Sequence, residues 1–311
     1  MKKILNISLF SDQKKTVLTL GMFDGVHKGH RAIIRRLNDI AAEKGAKSGL
    51  LTFDPHPRFV LQKDSDLKLL TLEHEKEQIL DGLGLDYMIV QPFDFEFSRI
   101  SSLAFVRDYL VKKLNVEVLV IGHDHHFGRN REGNFEKLSE LAELYDFQLL
   151  QLDAIKEVDK PVSSTKIRNA LFNGDLAYAN DALGYNYFMS GTVIKGDGIG
   201  RKLGFPTINL KVAEDKLVPK DGVYGVKVKF NKHSYLGLMS IGDRPTFEGK
   251  DKRLEVFILN FEGNLYTEDV TIEFLYYIRE QKKFAEVEGL IDAMHRDETE
   301  FNHWLESNSI K

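Results

Sequence analysis

The densest chemistry in the chain lies in ten residues, Gly21-Met22-Phe23-Asp24-Gly25-Val26-His27-Lys28-Gly29-His30, between an apolar run and a helical pattern. Three glycines spaced by four permit sharp turns and close approach of a ligand to the backbone. A helix that starts here presents unpaired N–H groups and a partial positive charge, which favours phosphate. His27 and His30, three residues apart, would reach the same corner. There they would hydrogen-bond a phosphorus centre gathering negative charge, which is electrostatic stabilisation without a covalent intermediate. Two histidines at this spacing would equally bind a metal or cap the helix. No Glu follows His27 in the arrangement of a zinc protease, and no G-x-x-x-x-G-K-[ST] sequence occurs, so phosphate would be handled without a P-loop.

A second run, Gly196-Asp197-Gly198-Ile199-Gly200-Arg201-Lys202-Leu203-Gly204-Phe205-Pro206-Thr207-Ile208-Asn209, has the glycines of a dinucleotide loop but no amphipathic helix after it. It reads either as a flap whose N–H groups cover phosphates or as a plain glycine-rich hairpin. Thr207 and Asn209 alternate with apolar neighbours, which in an extended segment puts both oxygens on one face, a hard-oxygen arrangement suited to Mg²⁺. A third cluster, His123, His125 and His126, has no Cys or paired carboxylate beside it and reads as solvated or core-edge imidazoles rather than a metal site.

The elements that must position these groups follow from periodicity. Thr16–Leu20 reads as a buried strand, His30 to Lys44 as a helix with Ile33, Ile34, Leu37, Ile40 and Ala41 on one side and Gly45 as its stop, and Gly49–Phe53 as the next strand. Tyr87–Val90, a helix over about Ser102–Leu114 and a strand over Val116–Ile121 repeat the pattern. The opening residues to Phe10 read as a loop or edge strand. Such β-α-β alternation implies a parallel sheet with helices on both faces and ligands at the carboxyl ends of its strands. After Gly184 the texture changes to strand-like runs, Ser190–Ile194, Gly222–Phe230, Ser234–Ile241, Leu254–Phe261 and Asp269–Ile278, which suits a small antiparallel barrel. A helical pattern returns from Ala285 with Val287, Leu290, Ile291 and Met294, and a further turn carries Phe301, Trp304 and Leu305. Tyr185–Met189 reads as the linker, dividing the chain into 1–184 and 185–311.

Four segments in order, GMFDGVHKGH, Phe53-Asp54-Pro55-His56-Pro57, Gly122-His123-Asp124-His125-His126-Phe127-Gly128 and Val162-Ser163-Ser164-Thr165-Lys166-Ile167-Arg168, resemble the FAD synthetase branch of the nucleotidyltransferases. The resemblance implies a Rossmann-like domain. There His27 and His30 hold ATP phosphates, with Gly21, Phe23 and Gly29 in the same loop. Ser163, Ser164, Thr165 and Arg168 grip the triphosphate and stabilise departing pyrophosphate, and Asp24, Pro57, Asp124 and Phe127 line the FMN side with Phe23. His125 stands where that family usually has Phe. The segment Gly204–Asn209 resembles the PTAN motif of riboflavin kinases, and Pro219–Tyr224, Ile241–Phe247, Leu254-Glu255-Val256 and Ile278-Arg279-Glu280 follow in that family's order. This second resemblance implies a barrel with a C-terminal helix in which Glu255 is the general base, Thr207 and Asn209 hold Mg²⁺ and phosphates, and Arg279 lies beside the flavin. The flap with Gly196, Gly198, Gly200 and Arg201 would cover the nucleotide. Phe257, Asn260 and Ser240 stand where that family commonly carries His, Asp and Asn. Together these imply a bifunctional riboflavin kinase and FMN adenylyltransferase using ATP, riboflavin, FMN and Mg²⁺.

Composition bounds the partners. The 311 residues are 42% hydrophobic and 29% charged, ordinary for a globular protein of two domains. No run approaches the ~18 apolar residues of a membrane span. A net charge of -4 argues against nucleic acid, and the absence of cysteine excludes disulfides and thiolate sites and fits a cytoplasmic enzyme. The expectation is a monomer or weak homo-oligomer. Two competing readings are a monofunctional nucleotidyltransferase with a degenerate barrel and a non-catalytic flavin-binding regulator; the joint presence of His27, His30, Thr207, Asn209 and Glu255 speaks against both.

Overall fold

In the computed structural model, which describes residues 1–62, 65–122, 135–152, 162–196, 200, 204–246, 249–282, 284 and 286–309, the chain forms two compact units, Met1–Ser164 and Thr165–Lys311. The first unit is built on alternation. Its strands are β1 (Lys2–Ile4), β2 (Thr16–Leu20), β3 (Lys47–Asp54), β4 (Tyr87–Pro92), β5 (Val116–Gly122) and β6 (Gln148–Leu152), ordered β1-β4-β3-β2-β5-β6 with every pairing parallel. Successive side chains point to opposite faces, so each apolar strand fills two cores. Leu18, Leu51, Ile89 and Leu119 enter one, and Val17, Leu50, Met88 and Val118 enter the other.

Helix α1 (Lys28–Lys44) covers the second core with Ile34, Leu37, Ile40 and Ala41 and ends on Gly45, whose φ of 65° is the left-handed stop expected from the sequence. Short helices α2 (Pro57–Leu61) and α3 (Glu73–Asp81) follow β3, α3 adding Leu80 to that core. The first core is covered from the other side. There α4 (Phe95–Ser98) and α5 (Ser102–Ala104) lead into a π-wound segment, Phe105–Val111, and α6 (Phe135–Tyr145) completes the layer. An α-helix over Ser102–Leu114 was the expectation. Instead Lys112 N–H donates to Arg107 C=O at 3.1 Å and Leu114 N–H to Tyr109 C=O at 2.9 Å, both five residues back. The wider winding keeps Phe105, Leu110 and Leu114, spaced by five and four, in one core.

Helices α7 (Ser164–Asn173) and α8 (Leu176–Leu183) precede the barrel strands and cluster with them: Lys220 N–H donates to Leu171 C=O at 2.9 Å and Asn180 Nδ2 to Phe274 C=O at 3.0 Å. The compact units therefore part at Ser164, ahead of Gly184. The linker is shorter than Tyr185–Met189, because β7 already starts at Phe188 and Tyr187 is buried with its hydroxyl donating to Leu217 C=O. Strands β7 (Phe188–Ile194), β8 (Thr207–Lys211), β9 (Gly222–Phe230), β10 (His233–Thr246), β11 (Gly249–Ile258) and β12 (Asp269–Arg279) close an antiparallel barrel in the order β10-β11-β8-β7-β12-β9. Helix α9 (Val287–Ser307) is continuous where a helix and a separate turn were expected. Its Phe301 and Leu305 pack with Leu238 and Leu275 in one cluster, with Trp304 at its border. Trp304 stacks on Tyr276 with ring centroids 5.2 Å apart.

Because Phe301 is fully buried under α9, Phe301→Ala should cost about 3–5 kcal/mol. The chain's single tryptophan, Trp304, reports that interface, so the loss is expected as a shift of its fluorescence transition to lower urea. An unchanged midpoint would contradict this packing.

Candidate active sites

The glycine-histidine loop joins β2 to α1 at the carboxyl end of the parallel sheet, where the sequence placed it. Gly21 has φ 156°, and its N–H donates to Leu51 C=O at 3.1 Å. Phe23 and Val26 adopt φ of 48° and 36°, left-handed conformations that cost a residue with a side chain, and a β-branched one most, so the loop is held by its surroundings. The clamp is Asp24. Its buried carboxylate accepts from the N–H groups of Thr71 at 2.9 Å and Leu70 at 3.1 Å, and Thr71 Oγ1 accepts from Gly25 N–H at 3.0 Å. The Ser164 hydroxyl, at the start of α7, donates to Asp24 C=O at 2.9 Å. Gly29 stands in the first turn of α1 with its Cα close against the His27 ring.

His27 is buried and its Nδ1 accepts from His30 N–H at 3.3 Å, capping α1. In the neutral ring this acceptor role leaves the proton on Nε2. The His30 ring stacks on His27 at 3.7 Å and on Phe23 at 4.4 Å, and its Nδ1 is buried with no hydrogen-bond partner among the described residues. Burial lowers the pKa of His27 to about 4 against the opposing charge of Asp24. His30 is pushed well below the ordinary histidine value, first by burial and then by the positive ends of His27 and Lys76. Both imidazoles are thus neutral near pH 7, each with one N–H to donate.

Pro57 starts α2 next to His56, whose Nδ1 caps it by accepting from Arg58 N–H. Met22, Asp24, Thr52, Phe53, Asp54, His56, Thr71 and Lys76 line a small cavity of about 20 Å³ at this corner. Ser163 and Ser164 are half-buried, Thr165 is exposed, and Arg168 is half-buried one turn further along α7. Asp124 and Phe127, with His123, His125 and His126, lie outside the described residues, as do Gly198 and Arg201.

In the barrel unit, strand register assembles the second group. Asn209 sits directly across from Glu255 and Thr207 across from Phe257, so all four side chains share one face of the β8–β11 pair. Ser240 lies across from Glu255 on the other side. Glu255 is half-buried and pairs with Arg253 Nη2 at 3.0 Å. Two glycines of the glycine-rich run, Gly196 and Gly200, come close to this face. A Cβ at Gly196 would come within 2.1 Å of Asn209 Nδ2, and one at Gly200 within 2.3 Å of Phe205 C=O and 3.3 Å of Thr207 Oγ1. Only glycine lets the backbone lie that close to both oxygen-bearing side chains. Phe205 is buried and meets Phe257 and His295 edge-on, both at 5.1 Å. Arg279 holds α9: its Nε and Nη2 each donate to the Asp297 carboxylate at 2.7 Å, and its Nη1 donates to Glu280 C=O at 3.1 Å.

The oxygen set suits a divalent cation only in company. Thr207 and Asn209 offer neutral hard oxygens and Glu255 one carboxylate, and no cluster of three or more His, Asp or Glu among the described residues is arranged to hold a metal alone. Phosphate oxygens arriving with a nucleotide would complete such a shell. Sequence reading missed several buried charges, Lys76 and Asp297 among them. Lys76 carried one usable signal, its place four residues before Leu80 on the buried stripe of α3. Asp297 lies four residues before Phe301 in the same way.

Comparison with known proteins adds the ancestry. The family model for FAD synthetase matches residues 9–166 and that for riboflavin kinase residues 183–305. A bifunctional riboflavin kinase/FMN adenylyltransferase of Listeria monocytogenes is 43% identical over 91% of this chain and 90% of its own length. Its Escherichia coli counterpart is 35% identical over 96% of both. A crystal structure from Streptococcus pneumoniae, described as a macrolide-efflux protein, matches with a TM-score of 0.89 over 97% of this chain and 99% of its own at 29% identity. With both family models in order along one polypeptide, and relatives aligned over nearly its whole length, the chain belongs to the bifunctional riboflavin kinase/FMN adenylyltransferase family.

Proposed function

We propose that this chain phosphorylates riboflavin to FMN in its barrel and adenylylates FMN to FAD at the glycine-histidine loop, consuming ATP in each step. The observation that carries the kinase half is the register of β8 against β11, which sets Glu255 opposite Asn209 and beside Thr207, close to Gly196 and Gly200. The adenylyltransferase half rests on the capped, stacked histidine pair at the start of α1. On this reading 1–184 serves the adenylyltransferase and 185–311 the kinase, which keeps Ser163–Arg168 with the first activity.

In the kinase step Glu255 takes the proton of the terminal ribityl hydroxyl as its oxygen bonds to the γ-phosphorus and the bond to ADP breaks. Thr207 and Asn209 would hold Mg²⁺, which when bound draws charge from the phosphate oxygens. Gly196 and Gly200 bring backbone close to those phosphates, with Gly198 and Arg201 continuing the flap, and Arg279 stands at the flavin end.

In the adenylyl step a phosphate oxygen of FMN bonds to the α-phosphorus of ATP and pyrophosphate leaves. The ring N–H of His27 and that of His30, with the positive end of α1, stabilise oxygens on which charge gathers. Ser163, Ser164, Thr165 and Arg168 steady the leaving pyrophosphate, while Asp24, Pro57, Asp124 and Phe127 form the flavin side. No protein nucleophile takes part in either step. The reading includes a cytoplasmic enzyme acting as a monomer or weak homo-oligomer, without nucleic acid or membrane as partner. The net charge of -4 supports this, and no helix among the described residues is long and apolar enough to cross a membrane.

Glu255→Gln is expected to slow riboflavin phosphorylation by about 10²–10⁴-fold, the usual weight of a general base, while FMN supplied directly still becomes FAD. Product chromatography separates the two outcomes, and loss of both activities in a folded variant would contradict independent sites. Protonation gives a second test. The unfolded chain takes up protons on His27 from about pH 6.5 downward, whereas the folded protein excludes its proton until about pH 4. Stability should therefore be fully present above pH 6.5 and fall as pH drops towards 4. His27→Gln should flatten that part of the profile in urea titrations; an identical slope would show that His27 titrates normally.

A further inference from the structure

Among the charges in the N-terminal unit, Lys76 has no part in the chemistry set out above. It is 6% exposed, on the inner face of α3, and among the described residues its Nζ makes one long hydrogen bond, 3.5 Å to Thr52 Oγ1 at the carboxyl end of β3. An ammonium carries three donors, and a buried one left short of acceptors is costly. Its neighbour Asp24 is committed to the N–H groups of Leu70 and Thr71. Lys76 lines the small cavity together with Met22, Thr52, Phe53, Asp54, His56 and Glu73, and this cavity adjoins the histidine loop.

We propose that Lys76 is a substrate-recognition residue of the adenylyltransferase site, donating to a ring carbonyl oxygen of the flavin, with a neighbouring carboxylate accepting the adjacent ring N–H. This assignment rests on the proposed FMN adenylylation. Charge decides against a phosphate in the same place: Asp24, Asp54 and Glu73 all act on Lys76, so the pocket's sum is negative and repels an anion. A neutral ring edge that pairs a carbonyl with an N–H matches one ammonium among carboxylates. Wall chemistry favours the flavin over adenine. Phe53, which lines the cavity, is backed edge-on by Phe93 at 5.6 Å and tilted against Phe97 at 5.9 Å, an aromatic border for an apolar ring edge, and adenine carries no carbonyl. The cavity's volume is about 20 Å³, so the ring edge enters by moving the Asp54–Pro57 turn or the side chains around it. Burial lowers the pKa of Lys76 while the three carboxylates raise it, in keeping with a donor held ready without a full ion pair.

The full-length enzyme tests this in steady-state FAD formation from FMN and ATP. Lys76→Met is expected to raise KM for FMN about tenfold or more, the weight of one charge-assisted hydrogen bond, with KM for ATP within about twofold. Riboflavin phosphorylation by the same sample should be unchanged, which checks the barrel, and Lys76→Arg should recover part of the loss. A rise in KM for ATP instead, or no change in either constant, would overturn the assignment. Should Lys76→Met fail to fold, the unsubstituted enzyme answers with FMN analogues in which the C2 or C4 carbonyl oxygen is replaced by sulfur, a weaker acceptor. One of the two should show a KM about tenfold higher than FMN. Equal constants for both analogues and FMN would refute the proposal, whereas absence of any FAD from FMN itself would refute the underlying reaction.

Discussion

The carboxylate of Asp24 accepts hydrogen bonds from the backbone of Leu70 and Thr71, far along the chain, and so ties the histidine loop to the segment that leads into α3. The loop contains two left-handed non-glycine residues, Phe23 and Val26, a conformation unstable without such a tether. With the tether in place, His27 falls at the cap of α1, its ring stacks on His30, and both lose water and protons together. By tethering the loop, this buried carboxylate holds two imidazoles at a helix start, where phosphate charge is best received, and burial keeps them neutral, His27 against the charge of Asp24 itself.

The barrel reaches a comparable end by different means. Here strand register does the positioning, because Glu255 and Asn209 are fixed across one ladder and Thr207 follows two residues away on the same face. Backbone then closes over them at Gly196 and Gly200, where any Cβ would collide. Outside the ladder, the two-pronged Arg279–Asp297 pair and the buried Phe301 hold α9 against the barrel. A site set by register tolerates little sliding, since a shift of one residue would turn Glu255 to the opposite face.

Much of this was legible in the chain. The alternation of apolar residues gave the parallel sheet, the helix ending at Gly45 and most barrel strands, because those patterns are local. The pairing of Thr207 with Asn209 on one face followed from period two and holds in β8. What escaped depends on partners distant in sequence. Asp24 was read as a flavin neighbour, and nothing near it announces that its oxygens are taken by residues 70 and 71. Arg279 was likewise read for its ligand, while its grip on Asp297 needs the barrel closed before α9 can meet it. Lys76 drew no reading from the sequence; its burial beside the cavity shows only once the chain is folded. The π-winding of Phe105–Val111 has no mark in composition, since its residues suit an α-helix equally well and tertiary packing decides between them.

The central claim is that two separately built pockets act in series on one substrate, each able to work without the other. Complementation in a single tube tests it most directly: Glu255→Gln protein and His30→Asn protein are each given riboflavin, ATP and Mg²⁺, then mixed. The account expects almost no flavin product from the first, FMN without FAD from the second, and FAD from the mixture. A mixture of two folded variants that yields no FAD would contradict it.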